Sequence, residues 1–331
     1  MPGRAGAWLP VSALVAVGVV LPLVGAYPVF LMDVLCFALF AAAFNLLLGF
    51  TGLLSFGHAA FFGGAAYACG TALRDWGWPT EAGLLAGVAF AALLGLVMGG
   101  LAIRRSGIYF AMITLALAQM LYFVFLQAPF THGEDGLQEI PRGRLFGLLP
   151  LADDLTLYYV VLVIVVAAYL FIARVVSSPF GQVLLAIRDN EARAVSLGYA
   201  TARIKLLGFV LSAALAGLAG ALKTVVLGFA SLTDAHWTMS GLVILMVLVG
   251  GVGTLVGPLV GALIIIGLEH KIGEIGSFLA KITGISWFSG LGEAVTMVTG
   301  LIFIVCVMAF RRGVVGEGIE WWRRRRSGSA P

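Results

Sequence analysis

An all-α fold, a polytopic helical membrane protein of about ten spanning helices, is what the sequence predicts. Three observations carry it. Of the 331 residues, 61% are hydrophobic and only 11% are charged, whereas a soluble chain carries about 25% charged residues. The mean hydropathy is +1.07, suited to lipid rather than water as the surrounding solvent. Glycine is abundant at 44 residues, as in transmembrane helices, where small residues permit close approach. These values exclude a soluble enzyme, a secreted disulfide scaffold and a disordered chain. Cys36, Cys69 and Cys306 each lie in an apolar run and none in C-x-x-C spacing, so they read as small core residues.

At about 20 apolar residues per span, residues 1–331 make one transmembrane unit with no stretch left for a second soluble domain. Any energy-coupling machine is then another polypeptide, or absent. The first span covers 9–26. It reads as uncleaved, because no convincing small-x-small cleavage site precedes Pro28 and a second apolar run follows at once. Further spans fall at 29–50, 53–72, 82–103, 108–127, 155–175, 206–228, 241–250, 252–268 and 294–310. The eighth is short unless it begins before Ser240, and it shares a glycine corner, Gly250-Gly251-Val252-Gly253, with the ninth. The stretch Gly49 to Gly57 echoes Gly250 to Gly257. Transporters are often built from repeats, although a chain this rich in glycine can produce such an echo without one.

Positive charge sets the orientation. With the N-terminus inside, the inner segments hold fourteen of the twenty Lys and Arg residues, including Arg104, Arg105, Arg188, Arg193 and Arg323 to Arg326. The outer segments hold Arg74, Arg142, Arg144, Lys271 and Lys281. Both termini then lie in the cytoplasm. The acids Glu134, Asp135, Glu139, Asp153 and Asp154 share one outer loop. The basic tail, 311–331, pairs Trp321 and Trp322 with four arginines. That suits an interfacial anchor on anionic lipid or a solubilising end that fixes topology.

The inner segment 176–205 is the most informative. Pro179 and Gly181 punctuate a turn, a short amphipathic helix follows, and Asp189-Asn190 signals a new helix start. A second short helix runs from Glu191 to about Leu197, and Gly198 stops it. Ala192 and Ala194 are small enough to let a helix seat deeply in a partner's groove. A plain amphipathic connector on the membrane surface is the other reading.

Glu191, Ala192, Ala194 and Gly198 resemble the EAA loop of ABC-importer permeases, with one residue separating the alanines as in the branched-chain amino acid permeases of the LivM type. Other stretches agree with that branch: Asn45 to Gly63, Gly107 to Met120, Thr131 to Leu137, and Trp237 to Gly241 leading into Gly250 to Pro258. His132 stands where glycine is more usual in the third of these. The resemblance covers about residues 30 to 310. It implies one half of a heterodimeric pore in the bacterial inner membrane. Its implied partners are a second permease of the LivH type, two ATP-binding subunits and a periplasmic substrate-binding protein. It also implies alternating access driven by ATP hydrolysed elsewhere, with leucine, isoleucine, valine or a related amino acid as solute. Arg188, Asn190, Glu191, Ala192, Ala194 and Gly198 would form the ATPase-coupling elbow. The urea or short-chain amide permeases of the same superfamily are the nearest confusable group.

The residues themselves allow a further reading. Thr51, Gly52, Ser55, Gly57 and His58 interrupt an apolar run with polar groups and backbone-exposing residues. Irregular backbone at membrane depth survives only where protein buries it or water reaches it, and half-helix ends there can bind a zwitterion. Asn45, Thr51, Ser55, His58, Tyr109, Thr114 and Gln119 are therefore candidates for a solute path. Tight packing and interhelical hydrogen bonding are the competing roles. His58 has no acid nearby in sequence and reads as a hydrogen-bonded structural histidine. Asp33 lies near an outer end. Lys223 sits within a span with no partner evident, either snorkelling or facing a pore. Glu134 and Asp135 either dock a basic patch on a binding protein or form a solvated turn. There is no P-loop, no metal-ligand spacing and no catalytic constellation. The chain is expected to be no enzyme, to need no cofactor or metal, and to bind no nucleic acid. An ATP-independent secondary transporter would need Asp33, Lys223 or His58 as its coupling site, and a membrane scaffold would need none of the polar interruptions.

Overall fold

The computed structural model describes residues 27–147 and 149–283, together with 18–19, 21–25, 300–301, 304, 308 and 313–318. Ten α-helices run through the main described stretch. They are α1 (Pro28–Asn45), α2 (His58–Arg74), α3 (Thr80–Ala102), α4 (Ile108–Gln127), α5 (Asp154–Ser177), α6 (Pro179–Asp189), α7 (Glu191–Ser196), α8 (Thr201–Leu227), α9 (Trp237–Gly250) and α10 (Gly257–Thr283). A two-residue hairpin, β1 (Arg144–Leu145) with β2 (Leu149–Pro150), decorates the loop before α5. The chain is an all-α polytopic membrane protein. Among the described residues, five helices are long and apolar enough to cross a membrane: α1 with its continuation to Thr51, α3, α4, α5 and α8. With α2, α9 and α10 they match expected spans two to nine. The expected first and tenth spans, Cys306 and the tail 311–331 fall wholly or largely outside the described residues.

α1 is apolar on every side and buried almost along its whole length, as expected of a helix with no polar stripe. α8 packs along α1, α2 and α3, and α10 packs on α1. Glycine makes the α8 crossings close. A Cβ on Gly217 would lie 2.3 Å from the Ala91 methyl, and one on Gly220 would lie 2.0 Å from the Phe62 carbonyl oxygen. α3, α4 and α5 form the outer layer and leave apolar stripes uncovered, such as Leu93, Val97 and Leu101 on α3.

Five boundaries differ from the sequence reading by four residues or more, two of them the start of α9 at Trp237 rather than 241 and the end of α10 at Thr283 rather than 268. The third span begins at His58 rather than 53, because Gly52 turns left-handed (φ 75°) and 52–57 leaves the helix. α8 begins at Thr201, so its first turn is polar. The ninth span, α10, begins at Gly257 rather than 252, since 251–256 form an irregular corner. Pro179 and Gly181 stand in the first turn of α6 rather than in a separate turn. Pro179 occupies the position where a missing N–H costs nothing, and Ser178 Oγ caps the helix by accepting from Gly181 N at 3.3 Å.

Candidate functional site

The α1 helix ends in a π-helical turn, Leu46–Thr51. π-turns occur mostly as local bulges and often at functional sites. Residues 52–57 then run without helical bonds, so their N–H groups need other partners. Gly52 N and Leu53 N both donate to Leu47 O, Phe56 N to Thr114 Oγ1 at 3.2 Å, and Gly57 N to Ser55 Oγ at 3.1 Å. Ala59 N, at the start of α2, donates to Ser240 Oγ of α9 at 2.8 Å. Thr51 Oγ1 donates back to Leu46 O and lies against Gly208 of α8. Hydroxyls from α4 and α9 thus hold the break open.

Asn45 joins this break to the second irregular corner. Its Nδ2 donates to Thr254 O and its Oδ1 accepts from Gly253 N, both at 2.8 Å. The two stretches that echo one another in sequence therefore touch: a Cβ on Gly49 would lie 2.6 Å from Gly253 N.

His58 is fully buried, edge-on to the rings of Phe44, Phe61 and Phe209. Its Nε2 lies 2.8 Å from Ser212 Oγ. Ser212 has one hydroxyl proton and donates it to Ala43 O at 2.6 Å. The histidine must then be the donor, which fixes the proton on Nε2 and leaves Nδ1 bare, without a partner among the described residues. A neutral imidazole ties α2 to α8 and, through Ser212, to α1, as a structural histidine would.

Asn45, Thr51, Ser55, His58 and Thr114 are therefore gathered around the break. Tyr109 and Gln119 are not part of that network. Tyr109 points outward from α4, and Gln119 is half-buried with its Oε1 unpartnered among the described residues. Ser212 and Ser240 escaped the sequence reading, although a hydroxyl inside an apolar run is the same signal that singled out Asn45.

The elbow stands at this same end of the bundle. Asn190 Oδ1 caps α7 by accepting from Arg193 N at 2.9 Å, and Gly198 (φ 87°) ends it with its N–H on Val195 O. Arg188 Nη1 donates to Gly49 O, while its Nε and Nη2 reach Asp189 Oδ1. Glu191 pairs with the buried Lys205 of α8 at 2.5 Å. Ala194 turns inward and is buried, whereas Ala192 is exposed. The outer surface of the elbow carries Val195, Leu197 and Tyr199, which are 55%, 70% and 44% exposed.

At the far end, Lys223 has a partner that its sequence neighbourhood does not reveal. Its Nζ lies 2.6 Å from Asp234 Oδ1 and about over the rings of Phe37 and Phe62. Asp33, one turn into α1, is half-buried with Oδ1 unpartnered among the described residues. The loop after α4 is pinned by Thr131, whose hydroxyl reaches Phe125 O and Ala128 O, and by paired bonds between Leu137 and Ala230. His132 adopts φ 60° there, a conformation that favours glycine. Glu134 and Asp135 are left exposed. Among the described residues no cluster of His, Cys, Asp and Glu could hold a metal ion.

A family model described as the permease component of the branched-chain amino acid transport system matches residues 29–309. The high-affinity branched-chain amino acid transport system permease protein LivM of Escherichia coli K12 is 30% identical over 250 residues, covering 67% of this chain and 58% of the relative. Its Salmonella typhimurium counterpart is 30% identical over 246 residues with the same coverage. A probable branched-chain amino acid transport permease protein LivM of Methanocaldococcus jannaschii is 33% identical over 108 residues, 32% of this chain and 31% of that one. The chain thus spans 58% of the length of the first two relatives. No solved structure matches it.

Proposed function

The chain belongs to the family of branched-chain amino acid transport permease components, and from that premise we propose that it is one permease half of an ABC importer in a bacterial inner membrane. In this reading it admits leucine, isoleucine, valine or a related amino acid by alternating access. ATP is hydrolysed by two separate subunits, and a second permease of the LivH type completes the pore. A periplasmic binding protein delivers the solute at the end bearing Glu134 and Asp135. Both termini are cytoplasmic.

The observation that carries this reading is the elbow formed by α6 and α7. Its two helices are stiffened internally by the Ser178 and Asn190 caps and tied to α8 by the Glu191–Lys205 pair. Yet it holds Val195, Leu197 and Tyr199 out from the bundle. A rigid frame with an uncovered apolar tip is what a docking contact needs, since little ordering entropy is lost on binding. Ala192 and Arg193 share that tip, while Ala194 packs inward and supports it. The polar break nearby offers backbone and hydroxyl groups to a zwitterion once the bundle opens.

The test is reconstitution of the chain with its cognate partners in proteoliposomes. ATP-dependent accumulation of leucine is expected, with none from the chain alone. L197D and V195D should remove the ATPase from the purified complex without disturbing the fold, because both side chains face solvent. Uphill transport by the chain alone would identify a secondary transporter. ATP-dependent uptake of urea but not of leucine would move the chain to the urea permeases. Retention of the ATPase by both aspartate variants would overturn the docking assignment.

A further inference from the structure

We propose that Arg188 is a positioning residue that transmits the motion of the elbow inward, to the break in α1 and the corner between α9 and α10, rather than a contact for the ATPase. This deepens the reading of the elbow given above and rests on it.

Three contacts aim Arg188 inward. Its Nη1 donates to Gly49 O. Its Cγ lies 2.7 Å from where a Cβ on Gly52 would stand, and its Nη1 lies 3.8 Å from the corresponding point on Gly253. Gly49 belongs to the final turn of the helical run that starts at Pro28. The last carbonyls of a helix lack intrahelical donors and carry its negative pole, so a guanidinium is well matched there. The outward nitrogens, Nε and Nη2, are engaged by Asp189. Three of the five N–H donors of the fork are thereby engaged within the chain.

From Gly49 the connection continues. Asn45, one turn earlier, grips Gly253 and Thr254, and Gly49 and Gly253 approach backbone to backbone. Elbow, break and corner therefore form one hydrogen-bonded unit in which each member holds the next. A side chain that acts this way is distinguishable from a docking contact. Its loss disconnects the stroke from the pore but leaves the motor bound.

The experiment uses the whole importer in proteoliposomes, comparing wild type with R188A and R188K. For R188A the expected result has three parts: the ATPase co-purifies at the wild-type ratio, binding-protein-stimulated hydrolysis persists, and leucine taken up per ATP hydrolysed falls about tenfold, within the usual range of coupling between sites. R188K, which keeps the charge without the fork, should fall between. A second readout does not depend on the solute. V252C, at an exposed position of the corner, is placed in a background with Cys306 replaced by Ala, Cys36 and Cys69 being buried. Its maleimide labelling rate should respond to ATP with Arg188 present and not in R188A. An unchanged uptake ratio or an unchanged labelling response in R188A overturns the proposal. So does loss of the ATPase from R188A with recovery in R188K, which would make Arg188 a docking residue. Failure of both variants to assemble would make it an architectural one and overturn the proposal equally. If the wild-type complex carries no ATPase, the functional reading itself falls, a result distinct from all of these.

Discussion

Replacing Asp234 by asparagine should destabilise the chain far more than a typical point change. The carboxylate and the Lys223 ammonium are 2.6 Å apart, with side chains only 4% and 13% exposed. At an effective dielectric of about 20, two unit charges at that distance attract by roughly 6 kcal/mol. Desolvation of both ions offsets much of that attraction, so the pair adds little beyond what a well-packed apolar pair would give. Asparagine preserves the shape but strands the lysine among Phe37 and Phe62. Their ring faces supply about 1–2 kcal/mol of attraction to a desolvated cation, too little to replace the carboxylate. Breaking one side of a buried pair costs about 3–5 kcal/mol, which corresponds to a fall in melting midpoint on the order of 10 °C. Fluorescence-detected thermal melting of detergent-purified protein measures it. K223M should be similarly damaging, and the double variant K223M/D234L should recover most of the loss. A shift under about 2 °C for D234N, or a double variant no better than the worse single one, would refute the reasoning.

Three further outcomes follow from the geometry. G220A would drive a methyl to 2.0 Å from the Phe62 carbonyl oxygen, so it should abolish folded material on size-exclusion chromatography, whereas G100A, with nothing within 4 Å of its new methyl, should elute as wild type. S212A leaves His58 Nε2 without its partner in the interior and should cost about 1–3 kcal/mol, read as a lower melting midpoint with the expression level retained. Asp153 caps α5 outside the span, and the Thr156 N–H and hydroxyl hold its carboxyl below the usual carboxylate range. Because the native value is the lower one, the cap's contribution is fully present above the unfolded value near pH 4 and is lost as pH falls from there through the lower native value. D153A should therefore melt lower than wild type at neutral pH, with the gap closing only in strong acid.

Local signals were the legible part of the sequence. The apolar lengths of α3, α4 and α5 located them within a few residues, and Asn190 and Gly198 marked the start and stop of α7 because caps act on their own backbone. The order of elements followed from spacing alone. What escaped was set by contacts between distant positions. Asn45 meets Gly253 across 208 residues, and His58 meets Ser212 across 154; no periodicity records such pairs. Gly52, Ser55 and Gly57 signal the break before α2, but the start of the helix is hidden because Leu53, Leu54 and Phe56 are as apolar as a helix and the Thr114 hydroxyl that holds Phe56 comes from elsewhere. Asp234 lies just 11 residues from Lys223, but the intervening reversal of the chain has no helical spacing to betray the pair. The inward aim of Ala194 was hidden for a similar reason, since a single turn of helix has no stripe long enough to define a face.

Lys205 and Lys223 belong to the same continuous helix, α8, and each is clasped by a carboxylate from another element, Glu191 near one face of the bundle and Asp234 near the other. At 1.5 Å per residue they stand about 27 Å apart along the axis, close to the thickness of the hydrocarbon layer. A helix of that length is stiff, so an axial shift at one clasp arrives at the other undiminished unless a clasp lets go. The two sides of the bilayer are thereby geared together by a single rod, and neither can rearrange around α8 in isolation.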